Sequence, residues 1–174
     1  MATLYTSSEF VESAGAILFH LSTQRICLIR LKSKNQYLLP KGRLGMSESR
    51  QSAALREAQE ETGYYAKLLP LTMPTRATPV DEDNPNMPDK ARVEEGLTEA
   101  VALHIRKAGR AGDVKLVWWF VAAIDEDAEV GRGEEGFEVG LWGYEDAMEK
   151  LSFEDDRKAL RTAIELLEGT YGKK

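Results

Sequence analysis

Hydrophobic and polar positions alternate early in the chain. Phe10 to Leu21 and Arg25 to Lys32 read as two strands joined by the polar turn Ser22-Thr23-Gln24. In the second strand Ile26, Leu28 and Arg30 fall on one face, and Cys27, Ile29 and Leu31 on the other. Gln36 to Pro40 predicts a third, short strand, ended by Pro40 and opened into a loop by Gly42 and Gly45. The period then changes to that of a helix starting at Ser47 or Ser49, running to about Thr62 and stopped by Gly63. Tyr64 to Met73 is extended again. From Pro74 to Gly96 prolines and acids replace any periodicity, which predicts one long binding or disordered loop. Strands return at Thr98–Ile105, Val114–Ile124 and Phe137–Tyr144. Two helices close the chain, Glu145–Leu151 and Phe153–Glu168, the second with Leu160, Ile164 and Leu167 at helical spacing. Mixed strands around one central helix, followed by C-terminal helices, predict an α/β or α+β sandwich.

Composition narrows the class. The 174 residues are 43% hydrophobic and 30% charged, which suits one globular domain with a core at about residues 10–168. The longest apolar run, Leu116 to Ile124, is strand-sized, so no membrane-spanning helix and no membrane partner is expected. The first residues lack the pattern of a secretory signal, and a cytoplasmic location is the expectation. One cysteine, Cys27, makes no internal disulfide, and with only His20 and His104 beside it a zinc site is not expected. The net charge of −6 argues against non-specific nucleic-acid binding. That charge is uneven. Up to position 80 there are ten basic and six acidic residues; beyond it, thirteen and twenty-three. Four of the six early acids lie between Glu48 and Glu61, a compact acidic cluster among basic residues. Such an arrangement suits a small, highly anionic molecule bridged by a metal.

The cluster has a geometry. At 100° per residue, with Glu57 at zero, Glu60 falls at about −60° and Glu61 at about +40°, so the three carboxylates share one arc of a helix. Leu55, Ala58 and Thr62 turn toward a sheet, and Arg56 sits beside the acids where it can brace them. Like charges held this close call for a cation. A hard divalent ion with oxygen ligands supplies it, and Mg²⁺ uses one or two carboxylates with phosphate oxygens and water. Gly42 and Gly45 allow a close backbone approach, and Lys41 and Arg43 flank Gly42 to meet anionic oxygens. Together these parts fit metal-assisted hydrolysis of a phosphoanhydride.

The spacing resembles the Nudix box, G-x5-E-x7-R-E-U-x-E-E-x-G-U, with U a bulky aliphatic residue. Gly42, Glu48, Arg56, Glu57, Glu60, Glu61 and Gly63 match its seven fixed positions, while Ala58 and Tyr64 depart at the soft ones. A chance match at one starting point is on the order of 10⁻⁸ at ordinary residue usage, which leaves coincidence out of account. The resemblance implies the Nudix fold, an α/β/α sandwich on a mixed β-sheet with a loop–helix–loop catalytic box. It implies that Glu57, Glu60 and Glu61 are catalytic and ligate Mg²⁺ or Mn²⁺. Gly42 would then shape the loop, Glu48 and Arg56 would brace it, and Gly63 would end the helix. An acid outside the box sometimes serves the family as base, and Glu134, Glu135 and Glu138 are the candidates.

Substrate choice lies outside the box. Leu38-Leu39-Pro40-Lys41-Gly42, Ser13-Ala14-Gly15-Ala16-Ile17 and the run from Phe153 to Leu160 are similar to diadenosine polyphosphate and diphosphoinositol polyphosphate hydrolases. Arg30, Lys32, Lys34, Lys41, Gly42 and Arg43 are the substrate-binding candidates, with Arg50 close by, and Arg30, Lys32 and Lys34 would share a face if the strand extends that far. This surplus of cations favours a diphosphoinositol polyphosphate, with diadenosine polyphosphates as the alternative. Trp118, Trp119, Tyr37 and Tyr64 could shelve a nucleobase, although strand aromatics usually build cores. Arg76, Lys90 and Arg92 could cover a substrate. Two other readings are a ligand-sensing module on the same fold, against which the complete set of box acids stands, and hydrolysis of mRNA caps or damaged nucleotides.

Overall fold

The computed structural model describes residues 1–79, 87–109 and 112–172. Its centre is β1 (Phe10–His20), whose residues from Ser13 to Phe19 are all buried. A strand buried on both faces is the signature of a sheet covered on both sides. Beside it, β9 (Val114–Ile124) runs parallel over ten residue pairs, from Phe10↔Val114 to Phe19↔Ala123. The other pairings in the main sheet are antiparallel: β2 (Arg25–Leu31) with β1, β10 (Phe137–Gly143) with β2, and β8 (Ala102–Lys107) and β5 (Ala66–Leu68) with β9. The sheet is therefore mixed, in the order β10-β2-β1-β9-β5.

At one end the sheet splits. β2 pairs with β1 only at Phe19↔Ile26 and His20↔Arg25. Farther along, β3 (Gln36–Leu38) takes β2 as partner, and β4 (Lys41–Arg43) takes β1. The expected loop after Pro40 is thus a strand, because the N-terminal half of β1 has a free edge there that Lys41–Arg43 satisfies.

Helices cover the two faces. α1 (Arg50–Thr62) lays Ala53, Ala54 and Ala58 on Ala14, Ala16, Leu18 and Phe120. Small residues on both sides let the helix lie close to the sheet. On the other face α2 (Tyr144–Lys150) and α3 (Glu154–Tyr171) bring Ala147, Leu160, Ala163 and Leu167 onto Ile17, Phe19, Leu28 and Trp119. The result is the expected α/β/α sandwich. No helix among the described residues is long and apolar enough to cross a membrane.

Two boundaries differ from the sequence reading. The region expected as one loop from Pro74 to Gly96 begins and ends in a hairpin of β6 (Leu71–Thr75) and β7 (Arg92–Leu97), and residues 80–86 lie outside the description. The strand expected at Thr98–Ile105 begins only at Ala102, in β8, and residues 98–101 connect β7 to it. Charged residues such as Glu94 and Glu95 hid β7, since a two-stranded ribbon with exposed sides needs no apolar alternation.

Leu160 is fully buried between α3 and the sheet. Leu160→Ala is expected to cost about 2–5 kcal/mol, read as a lower urea midpoint at unchanged slope.

Candidate active site

Ser49, not Ser47, begins α1. Its side chain accepts the Ser52 N–H at 3.1 Å, whereas Ser47 sits at φ 62° in the preceding turn. Gly63 ends the helix at φ 78°, with its N–H on Gln59 O at 2.8 Å. These two stops fix which way the box acids face. Gly42 lies opposite Ala14 on the α1 side of the sheet, and a Cβ added there would overlap the Glu57 carboxylate. A side chain at 42 would push that carboxylate aside.

Arg56 organises the acids. Its Nε and Nη2 donate to the two Glu48 oxygens at 2.8 and 2.9 Å, and Nη1 donates to Glu57 Oε1 at 2.8 Å and Glu60 Oε2 at 2.9 Å. Nη2 also reaches Arg43 O at 3.0 Å, tying the helix to β4. Glu48 further accepts the Gly45 N–H at 2.7 Å. Hydrogen bonds from Arg56 and Gly45 hold the Glu48 carboxyl down at about 2.

Glu61 is treated differently. It is 7% exposed and accepts the Lys41 N–H at 2.9 Å through Oε2. Burial pushes its carboxyl up to about 7; the Lys41 N–H and charge oppose the shift, and Glu57 and Glu134 add to it.

Among the described residues no three His, Cys, Asp or Glu side chains converge into a ready-made metal cage. Arg56 draws Glu57 and Glu60 to itself, and the β4 backbone draws Glu61 aside. Each of the three carboxylates nevertheless keeps one oxygen that no described residue hydrogen-bonds: Oε2 of Glu57, Oε1 of Glu60 and Oε1 of Glu61. An all-oxygen donor set of this charge fits Mg²⁺ or Mn²⁺.

The candidate base residues separate. The loop before β10 docks on the end of α1, with Gly131 N donating to Gly63 O at 2.8 Å and the Cβ position of Gly133 within 2.8 Å of Glu61 O. Glu134, next along, is the one of the three whose charge acts on Glu61. Glu138 is paired with Arg30 at 2.6 Å, and the Glu135 carbonyl receives Lys32 Nζ at 2.8 Å.

The basic candidates divide too. Arg30 is engaged with Glu138 and with Asn35 Oδ1 at 2.8 Å, and Lys34 lies in the turn after β2, so the expected shared face of Arg30, Lys32 and Lys34 does not form. Lys41 and Arg43 lie on the side of the sheet opposite α1, because they pair with Gly15 and Ser13. Alternation places Lys115 of β9 and Arg106 of β8, paired with each other, on that same face. The sequence reading passed over this second pair. The signal was present in the alternation Lys115-Val117-Trp119 and His104-Arg106, but only the register brings it to β4. Burial and the charges of Lys41, Arg106 and Arg43 push the Lys115 amine down. From α3 comes Asp156, 6% exposed, whose carboxyl burial pushes up against the charges of Lys41, His104 and Arg106.

The aromatic candidates serve packing. Trp119 is buried; Trp118 donates Nε1 to Glu12 and lies 4.0 Å under the Arg50 guanidinium; Tyr37 meets Trp142 edge-on beneath Lys150. Tyr64 packs partly buried at the end of α1. His20 bonds Thr23, and His104 faces Asp155 at 3.2 Å. Arg76 and Arg92 hold the hairpin's own connection, on Asp89 and on Ala77 O, and Cys27 is buried with its thiol pushed up to about 12.

An α/β/α sandwich on a mixed sheet, carrying acids on a capped helix against a strand glycine, sets the fold and the place of the candidate site. The NUDIX domain profile matches residues 10–163, and the chain belongs to the Nudix family. No curated protein sequence matches it. Among solved structures it is similar to a C. elegans Ap4A hydrolase in a binary complex, at 19% identity and TM-score 0.63, covering 91% of this chain and 98% of that one. It is also similar to a NUDIX hydrolase from Nitrosomonas europaea (13%, TM-score 0.60, 89% and 88%) and to the E. coli ORF135 protein (17%, 0.58, 95% and 96%). At these identities the likeness is one of fold.

Gly42→Ala is expected to displace Glu57 and weaken Mn²⁺ binding by about 10–100-fold in a calorimetric titration, with the helical spectrum retained. Glu61 gives a pH signature in the metal-free protein. Its folded value near 7 lies above the ordinary 4.5, so folding takes up a proton between them. The stabilisation is complete below pH 4.5 and is lost as pH rises through 7, on the order of 3 kcal/mol. Urea unfolding in chelator from pH 5 to 8 should show this decline in the wild type, and Glu61→Gln should remove it.

Proposed function

We propose that the chain is a divalent-metal-dependent hydrolase of a phosphoanhydride bond in a small substrate with several consecutive phosphates. One observation carries the reading: Arg56 and the Lys41 N–H hold Glu57, Glu60 and Glu61 beside Gly42 with an oxygen of each left over. Those three residues would hold Mg²⁺ or Mn²⁺. When bound, the ion polarises phosphoryl oxygens and lowers the pKa of a coordinated water.

The protein's own groups do the rest. Arg56 neutralises two of the acids and fixes their rotamers, so the donor oxygens are set before substrate arrives. The Lys41 N–H orients Glu61. Lys41, Arg43, Arg106 and Lys115 meet the phosphate oxygens, each charge-assisted contact contributing about 1.5–3 kcal/mol. Glu134, beside Glu61, accepts the proton of the attacking water at its carboxylate.

The two substrate classes implied by the resemblance are diphosphoinositol polyphosphates and diadenosine polyphosphates. Sequence favoured the first because six cations precede or enter the box. Arg30 and Lys32 are engaged within the protein, which leaves Lys41, Arg43, Arg106 and Lys115 on one face of the sheet, a set better matched to a linear phosphate chain. The fold shared with an Ap4A hydrolase is consistent with that order.

Phosphate-product assays with Mg²⁺ on diadenosine polyphosphates, diphosphoinositol polyphosphates and nucleotide sugars test the reading. Turnover of the dinucleotide first is expected; turnover of none of them would overturn it. The double variant Glu60→Gln, Glu61→Gln should lose Mg²⁺-dependent hydrolysis. Glu134→Gln should lower kcat by about 10²–10⁴-fold with KM little changed, while Glu138→Gln stays within about twofold.

A further inference from the structure

A cavity of about 390 Å³ opens where the last turns of α3 meet the turn after β1. Its apolar lining comes from Leu21 in that turn, Leu69 between β5 and β6, and Leu167 on α3, and Tyr144 and Tyr171 add two phenol rings. It lies away from the Glu57–Glu61 cluster. Leu21 follows the C-terminal end of β1, whereas Gly42 pairs with Ala14 near the other end, about 20 Å back along the strand. The walls are held by contacts of their own. Tyr171 donates its hydroxyl to Pro70 O, the Thr72 N–H donates to Thr170 Oγ1 at 2.9 Å, and Tyr144 meets Phe19 edge-on at 5.8 Å. The space is therefore present without a ligand, and its size is that of a small-molecule site.

One charged group lines it. Glu168 is half-buried, and among the described residues nothing hydrogen-bonds or pairs with its carboxyl. Burial and the Glu168 charge push the Tyr144 hydroxyl up. The last turn of α3 carries no basic residue, so the negative end of the helix dipole adds to the same field. An anion is repelled from such a cavity, which separates it from the phosphate chemistry of the hydrolytic site. A wholly apolar guest would take water from Glu168 and return no partner. A cation with an apolar body satisfies the carboxylate, the phenol faces and the leucines together.

We propose that this cavity is a second binding site, specific for a small organic cation: an ammonium group paired with Glu168 beside the Tyr144 and Tyr171 rings, carrying an aromatic body that fills the space between Leu21, Leu69 and Leu167. The site goes beyond the hydrolase reading and does not depend on it.

Three probes with one ring system and different charge test it: tryptamine, tryptophol and indole-3-acetate, titrated into the full chain at pH 7 by calorimetry. Wild type should bind tryptamine about tenfold or more tightly than indole-3-acetate, with tryptophol between them. Glu168→Gln, which keeps the shape of the side chain, should bring tryptamine to within about twofold of tryptophol and leave tryptophol unchanged. Leu21→Ala, at an exposed position, should weaken all three together. Amide NMR shifts on adding tryptamine should centre on Leu21, Tyr144 and Gly172. Failure of wild type to bind tryptamine, or equal affinity for the three probes, would overturn the proposal. So would a preference that survives Glu168→Gln, or shifts centred on Glu57–Glu61. Loss of hydrolysis in wild type, with this binding order intact, would sink the hydrolase reading alone.

Discussion

One guanidinium makes the site possible. Helix α1 gathers Glu57, Glu60 and Glu61 within five residues, and Glu48 joins them from the preceding turn. Without a counter-charge the like charges would splay and the helix would lose stability at that end. Arg56 spends four donor contacts on Glu48, Glu57 and Glu60 and a fifth on the carbonyl of Arg43. The guanidinium is held more firmly protonated by Glu48 and Glu57. It is therefore a fixed positive centre at every pH the protein meets, and its planar fork sets the carboxylates in one geometry. Lysine, a point charge with no fork, would neutralise without orienting.

The fold serves that centre by splitting its sheet. If β2 had continued along β1, no edge would remain for Lys41–Arg43. The divergence after Phe19↔Ile26 lets β3 and β4 enter, and β4 then separates two environments. On one side Gly42 yields room to Glu57; on the other Lys41 and Arg43 join Lys115 and Arg106. The Lys41 N–H goes to Glu61, so the strand's own backbone takes part in the site. Negative donors and positive contacts lie within the thickness of one strand. The proposed phosphate substrate, held through a cation, would need that juxtaposition.

Glu61 shows how burial and charge compete. Its surroundings favour a proton when nothing else is bound, since desolvation outweighs the Lys41 N–H. A divalent ion held there, as proposed, would reverse the balance by favouring the ionised form, and affinity for metal would then be linked to pH through this residue. Glu48, a few residues away, has the opposite character because two hydrogen bonds stabilise its charge. The two carboxylates differ through their partners, not their residue type.

Much of the site was legible in one dimension because a helix is a local structure. Spacing alone placed Glu57, Glu60 and Glu61 on one arc with Arg56 beside them, and Ser49 and Gly63 carry their capping chemistry wherever they occur. Strand alternation likewise marked β1, β2, β9 and β10. Partnership across the sheet was not legible. Arg30 reads as a free cation until β10 brings Glu138 to it, and Lys115 and Arg106 read as surface charges until β8 and β9 set them opposite β4. β4 itself was invisible, as three residues with a glycine at the centre have no periodicity, and only the free edge of β1 makes them a strand. The sequence determined which groups can do chemistry, through periodicity and local hydrogen bonding. Which of them are left over to do it was decided by long-range pairing, because a charge's availability depends on neighbours that the chain brings from a hundred residues away.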